Sequence, residues 1–240
     1  MTSTSTLTEK SAAREFRSLL VLRLSAMGDI IHTLPAVAAL RAAFPHITLG
    51  WLIDERWAEL LCTLRYPRAG RRSPERPLAD RVHTVNLGRF RRAPFSFQTW
   101  QQMAVGLSEL RGVQYDAAID FQGAVRSALL ARWSGAPALY GDAQPRENAA
   151  SMFYTRPVET SGRHVVEQAL NLAQAVIRRP AGQRQSSPAT LMAPTSAQIN
   201  VDFPRDSDAE KKIDCMVDGG RFAILNPGAG WGAKQWPIER

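Results

Sequence analysis

At 240 residues with 45% hydrophobic and 22% charged side chains, the chain has the balance of a globular protein, long enough for one large domain or two small ones. No apolar run approaches the ~18 residues that span a bilayer, and residues 1–17 are Ser/Thr-rich without a signal-peptide core and are expected to be a disordered tail. Two cysteines, Cys62 and Cys215, with no zinc spacing exclude a disulfide scaffold and a zinc finger, so a reducing cytoplasm is expected, and the formal net charge is +8.

The first element is Ser18–Leu24, aliphatic enough to be a buried strand, which ends at the small-residue turn Ser25–Asp29. Ile30, Ile31, Leu34, Val37, Ala38, Leu40 and Ala42 then repeat at helical spacing. Because proline suits only a first turn, Pro35 predicts that the regular helix starts near Thr33–Leu34, and Pro45 closes it. Ile47–Ile53 reads as a second strand and Glu55–Leu61 as a second helix. Residues Arg65–Arg92 hold nine arginines against Glu75 and Asp80, in a Pro/Gly-rich stretch that reads as an exposed loop. Such a loop is either simply solvated or collects anions: phosphates, acidic lipid or nucleic acid. Few interleaved aromatics and no recognition helix argue against nucleic acid.

Val82–Asn86 reads as a strand, Phe97–Leu110 as a helix, Asp116–Asp120 as a strand and Gly123–Trp133 as a helix. Ala136–Tyr140 is a brief strand, and His164–Ile177 an amphipathic helix carrying Val165, Ala169, Leu172, Ala173 and Val176. Strands alternating with helices predict an open, doubly wound parallel sheet over residues 18–178. A polar Pro/Gly stretch over 179–200 reads as a linker, and 201–240 as the incomplete beginning of another domain, in which Arg221–Asn226 is a strand opening onto a Gly-rich loop.

Ligands of doubly wound sheets sit at strand–turn–helix corners. The first corner has one glycine, Gly28, and so lacks the dinucleotide fingerprint, which argues against a nicotinamide dehydrogenase. Its Asp29 is either a helix cap or a general base reaching into the cleft. His32 either lines that cleft or is a half-buried histidine, and His164 has no readable partner. In the last corner, Asn226–Pro237, backbone N–H groups and Lys234 suit a diphosphate, although tight-turn packing explains the glycines equally well. Ala233 before Lys234 and Gln235 after it break the ATPase P-loop pattern. Asp206-Ser-Asp208 has a metal-site spacing but reads as a solvated helix start.

The run Ser25-Ala-Met-Gly-Asp-Ile-Ile-His-Thr-Leu-Pro35 resembles the N-terminal signature of the lipopolysaccharide heptosyltransferases of glycosyltransferase family 9. The resemblance continues through Asp120–Ala128, Arg146–Arg156, His164–Glu167 and Lys234–Pro237, and the pattern is most similar to members that add the first heptose to Kdo. It implies a GT-B-type α/β architecture: a Rossmann-like N-terminal domain with a parallel sheet that binds the acceptor, followed by the truncated start of a second, nucleotide-sugar-binding Rossmann-like domain. By resemblance the donor is ADP-heptose and the acceptor Kdo-lipid A. Asp29 is then the general base, Lys234 with the loop at Ala229 and Gly230 holds the diphosphate, and transfer inverts configuration with no cofactor or essential metal. The family's hydroxyl residues are missing at Ala229 and Gly230, leaving backbone donation there. Acceptor contacts fall to His32, Arg89, Arg91, Arg92, Arg126 and Arg146, with Arg156 a further candidate. A basic face also predicts peripheral attachment to the anionic inner-membrane leaflet. The competing expectations are a family 9 enzyme for another sugar, and a truncated acceptor-binding chain without activity.

Overall fold

The structure is a computed structural model that describes residues 16–93, 95–178, 201–217 and Ala223. Six strands form one parallel sheet: β1 (Ser18–Leu22), β2 (Thr48–Asp54), β3 (Arg81–Val85), β4 (Ala117–Asp120), β5 (Ala138–Asp142) and β6 (Arg156–Val158). Their order across the sheet is β3-β2-β1-β4-β5-β6, the doubly wound Rossmann order, so the expected fold class is the one observed. The helices are α1 (Met27–Ala43), α2 (Leu87–Arg92), α3 (Phe97–Gly112), α4 (Val125–Trp133), α5 (Val165–Ile177) and α6 (Ser207–Val217), with 3-10 turns at Glu55–Leu60 and Asn148–Phe153.

The continuous aliphatic run of β1 is explained by burial on both sheet faces. Leu19 and Val21 point into the clusters built on α1 and α5, while Leu20 and Leu22 meet Leu107, Leu110 and Leu130 of α3 and α4. Between β1 and β4 the winding reverses, and the turns after these two strands face each other across that switch point. The chain divides into two compact units, up to Pro204 and from Arg205. In the second unit Asp206 caps α6 by accepting from the N–H groups of Asp208 (3.0 Å) and Ala209 (3.1 Å), the helix start expected there. The linker expected over 179–200 lies outside the described residues.

Two expectations are corrected. The first helix begins at Met27, eight residues ahead of Pro35, which sits inside it. Its missing N–H leaves the Ile31 carbonyl without its helical donor, on a residue that is itself exposed. The arginine-rich segment is also not uniformly exposed. Arg76 is fully buried, donating through Nε to the Ala79 carbonyl and through its other nitrogens to the carbonyls of Pro67 and Arg71. A segment with almost no ladder needs donors for its buried carbonyls, and one inward guanidinium supplies them. Asp80 ties the same segment to the fold by pairing with Arg41 and accepting from the Leu49 N–H at 2.8 Å.

Candidate active site at the switch point

The turn after β1 carries the first-corner carboxylate. Asp29 sits in the first turn of α1, where its Oδ2 accepts from the Ala26 N–H at 3.3 Å and meets a guanidinium nitrogen of Arg23 at 3.0 Å. Both contacts fall on Oδ2, leaving Oδ1 without a hydrogen bond among the described residues. The sequence alternatives of cap and base are therefore compatible: one oxygen is used by the helix start and the other is open.

Arg23 belongs to both turns. It also donates to the Phe121 carbonyl of the turn after β4, and its Nε is buried without a partner among the described residues. Burial pulls its guanidinium below the ordinary value, while Asp29 and Asp120 push back. In the same β4 turn, the Gln122 side-chain oxygen accepts from the N–H groups of Leu24 (3.0 Å) and Ser25 (3.2 Å). Backbone that leaves β1 is thus hydrogen-bonded to a side chain from the neighbouring strand's turn.

Beneath this joint lies Asp120, buried and surrounded by donors. It accepts from the N–H groups of Gln122 (2.9 Å) and Gly123 (3.3 Å), the Ser127 hydroxyl (2.8 Å) and the Tyr154 hydroxyl (2.8 Å). Burial pushes its carboxyl above the usual range, against the pull of these four donors. Gly123 requires glycine: its φ is +64°, and an added Cβ would lie 3.1 Å from the Arg146 nitrogen.

These groups surround a cavity of about 370 Å³ whose lining includes Arg23, Asp29, His32, Gln122, Arg146 and Gln168. It opens at the switch point, where ligands of doubly wound sheets bind. His32 and His164 stand edge to face with ring centres 5.4 Å apart, so the histidine read as partnerless has an aromatic neighbour from α1. His164 Nδ1 also accepts from the Val166 N–H at 3.2 Å and caps α5. Among the described residues no group of three or more His, Cys, Asp or Glu side chains is gathered to hold a metal.

The structure brings together Asp29, His32 and Arg146. Arg89 is elsewhere, on α2 beyond β3, where it donates to Gln102 of α3 (2.7 Å) and lines a separate cavity of about 780 Å³. Arg92 donates to the Gly88 carbonyl on the same short helix, which also contains Arg91. Arg126 is exposed in the first turn of α4, outside the lining of the switch-point cavity, and Arg156 is exposed on β6. Ala229, Gly230 and Lys234 lie outside the described residues. The groups missed in the sequence are Arg23, Asp120 and Gln122. A lone arginine ending an aliphatic strand was the available signal for the first; the other two needed strand order.

The profile of Glycosyltransferase family 9 (heptosyltransferase) matches residues 107–240, more than half of the chain. The chain belongs to this family. Lipopolysaccharide heptosyltransferase 1 of Pseudomonas aeruginosa is 27% identical over 227 residues, covering 91% of this chain and 54% of the relative. The solved Escherichia coli heptosyltransferase WaaC with ADP matches at a TM-score of 0.58 and 29% identity, over 70% of this family 9 chain and 50% of that one. Its structure with ADP-2-deoxy-2-fluoro heptose matches at a TM-score of 0.57 over the same shares. The chain spans about half the length of the relatives it matches.

Proposed function

We propose that this chain carries the acceptor side of a heptosyltransferase of lipopolysaccharide core biosynthesis, which moves heptose from ADP-L-glycero-D-manno-heptose to the Kdo of Kdo-lipid A. The observation that carries the reading is the Asp29 carboxylate, fixed by Arg23 at the carboxyl end of β1 beside a cavity at the switch point, in a chain of family 9. The relative solved with a fluorinated ADP-heptose supports the choice of donor.

In this reading Asp29 Oδ1 takes the proton of the Kdo hydroxyl as its oxygen attacks the anomeric carbon of the heptose. The bond from that carbon to the ADP phosphate breaks on the opposite face, so configuration inverts and ADP leaves with the electron pair. Arg23 holds the carboxylate still during proton transfer, which is the part of the barrier that positioning removes. Lys234 and backbone donors near Ala229 and Gly230 stabilise the departing diphosphate without a metal, on the domain that begins in 201–240. His32 and Arg146 face the anionic acceptor, with Arg89, Arg91, Arg92 and Arg126 contributing from the same basic domain. The chain works from the cytoplasmic side, peripheral to the inner membrane.

Transfer is read by mass spectrometry of Kdo-lipid A incubated with ADP-heptose, with and without chelator. The expected result is chelator-resistant transfer by the parent that falls by about 10²–10⁴-fold in Asp29→Ala, with unchanged folding by circular dichroism. Transfer that survives the substitution, or requires added metal, contradicts the proposal. No transfer by either chain, together with no saturable ADP binding, overturns transfer by this chain in favour of an acceptor-binding chain without activity.

A further inference from the structure

The corner after β3 carries an unusual surface. Helix α3 turns Thr99, Leu107 and Leu110 toward the sheet, as an amphipathic helix should. Its exposed residues are not uniformly polar: Phe97 is 80% exposed, Trp100 53% and Val105 54%, and Phe95 just before the helix is 97% exposed. Ala104, exposed, falls at helical spacing near Phe97 and Trp100. Scattered apolar side chains are ordinary on a surface, but two exposed phenylalanines and a half-exposed tryptophan within six positions concentrate apolar surface that water disfavours.

This patch is bordered by positive charge. Arg92 is exposed on α2, Arg89 reaches from α2 onto Gln98 and Gln102 of α3, and Arg68 and Arg81 line the neighbouring cavity with Arg89. The opposing carboxylates around that cavity are Glu55, which accepts from Asn86, and Glu109 in the last turns of α3. Topology fixes which edge the patch occupies. In a parallel sheet every crossover helix starts at the carboxyl edge, so α2 and the start of α3 lie on the same edge as the Asp29 turn. β3 and β1 are separated by one strand, which is about 10 Å at ordinary strand spacing.

We propose that Phe95, Phe97 and Trp100, with Arg89 and Arg92, form the surface by which this chain docks on an anionic lipid bilayer. Aromatic side chains partition into the headgroup boundary and arginines pair with acidic headgroups; neither alone gives stable attachment, and here both occur on one corner. Docking in this way turns the sheet's carboxyl edge, with Asp29, toward the membrane that holds a lipid-linked acceptor. The proposal rests on the lipid-acceptor reading above for its purpose, and its test uses neither donor nor acceptor.

The full chain is sedimented with vesicles of phosphatidylcholine alone and of phosphatidylcholine mixed with phosphatidylglycerol, across a salt series. The expected result is binding to the anionic vesicles only, weakened by salt, and reduced at least about tenfold in the Phe95→Ser/Phe97→Ser/Trp100→Ser variant. Phe95→Ser alone, at an almost fully exposed turn position, is expected to give part of that loss without disturbing the helix. Vesicles containing brominated lipid are expected to quench the tryptophan emission of the parent more than that of Trp100→Phe. Equal binding to neutral vesicles, equal binding by the aromatic variants, or a parent dimer that Phe95→Ser dissociates in sedimentation velocity each overturn the proposal. Such a result leaves the transfer reading standing, just as active Asp29→Ala would leave the docking surface standing.

Discussion

The turn after β1 and the corner after β3 follow parallel strands and lie on one edge of the sheet, yet they are built in opposite ways. In the first, backbone and side-chain polar groups are tied to a neighbouring strand's turn: Gln122 holds Leu24 and Ser25, and Arg23 holds Phe121 and Asp29. In the second, exposed aromatic side chains and locally hydrogen-bonded arginines sit on a six-residue helix and the start of a long one. The difference matches the two tasks proposed for them. Proton transfer needs a carboxylate held to within a fraction of an ångström, whereas meeting a fluid surface needs area and charge. A substitution of the groups that lock the turn, Asp120 or Gln122, should therefore damage stability and chemistry together, and one in the exposed corner should damage neither.

The largest effect is expected at the base of the locked region. Asp120→Ala strands four donors at once, two of them hydroxyls, in a site with almost no solvent. It should lower unfolding stability by about 3–5 kcal/mol, read as a lower urea midpoint with unchanged slope. A loss below about 1 kcal/mol would mean that the turns do not depend on this carboxylate.

Gln122→Ala is the next step down. It leaves the Leu24 and Ser25 N–H groups without their acceptor and should cost about 1–3 kcal/mol. Because those residues lead into the Asp29 turn, kcat is expected to fall while the KM for ADP-heptose stays near the parent value. A change in that KM alone would contradict the positioning role.

An effect of similar ceiling, confined to acid pH, arises on β3. His83 on β3 bonds the Tyr115 hydroxyl at 2.8 Å, and burial takes its imidazole from 6.5 down to about 4. The unfolded chain therefore takes up that proton first. The contribution is fully present above pH 6.5 and is lost as pH falls from 6.5 toward 4, amounting to at most about 3 kcal/mol at ~1.4 kcal/mol for each pH unit. In thermal unfolding across this window, His83→Gln should show a flatter profile than the parent; superimposable profiles would refute the assignment. Phe95→Ser should change stability by no more than about 0.5 kcal/mol.

The sequence made some of this visible and hid the rest for physical reasons. A continuous aliphatic run such as Leu19–Leu22 announces a strand covered on both faces, and strand–helix alternation announces the parallel sheet. Asp29 was legible because a carboxylate at the end of such a strand is conspicuous. The groups that brace its turn were not, since Phe121 and Gln122 lie 97 or 98 residues from the groups they bind and only strand order brings them there. Arg76 misled because charge suggests solvent, while its geometry answers three buried carbonyls. The proline rule misplaced the start of α1 because Pro35 sits inside the helix, with the residue that loses its donor, Ile31, on an exposed stretch. Short elements such as α2 and the three-residue β6 carry too little periodicity to be read.

The most direct test of this division of labour compares two variants on two acceptors: Kdo-lipid A in anionic vesicles, and a Kdo-bearing acceptor without acyl chains in solution. Asp29→Ala is predicted to lose about 10²–10⁴-fold in transfer to both forms. The triple serine variant at Phe95, Phe97 and Trp100 is predicted to lose transfer only to the vesicle-bound form and to match the parent on the soluble one. If the aromatic variant fails equally on both acceptors, or Asp29→Ala fails on neither, the locked turn and the docking corner do not have the separate roles assigned to them.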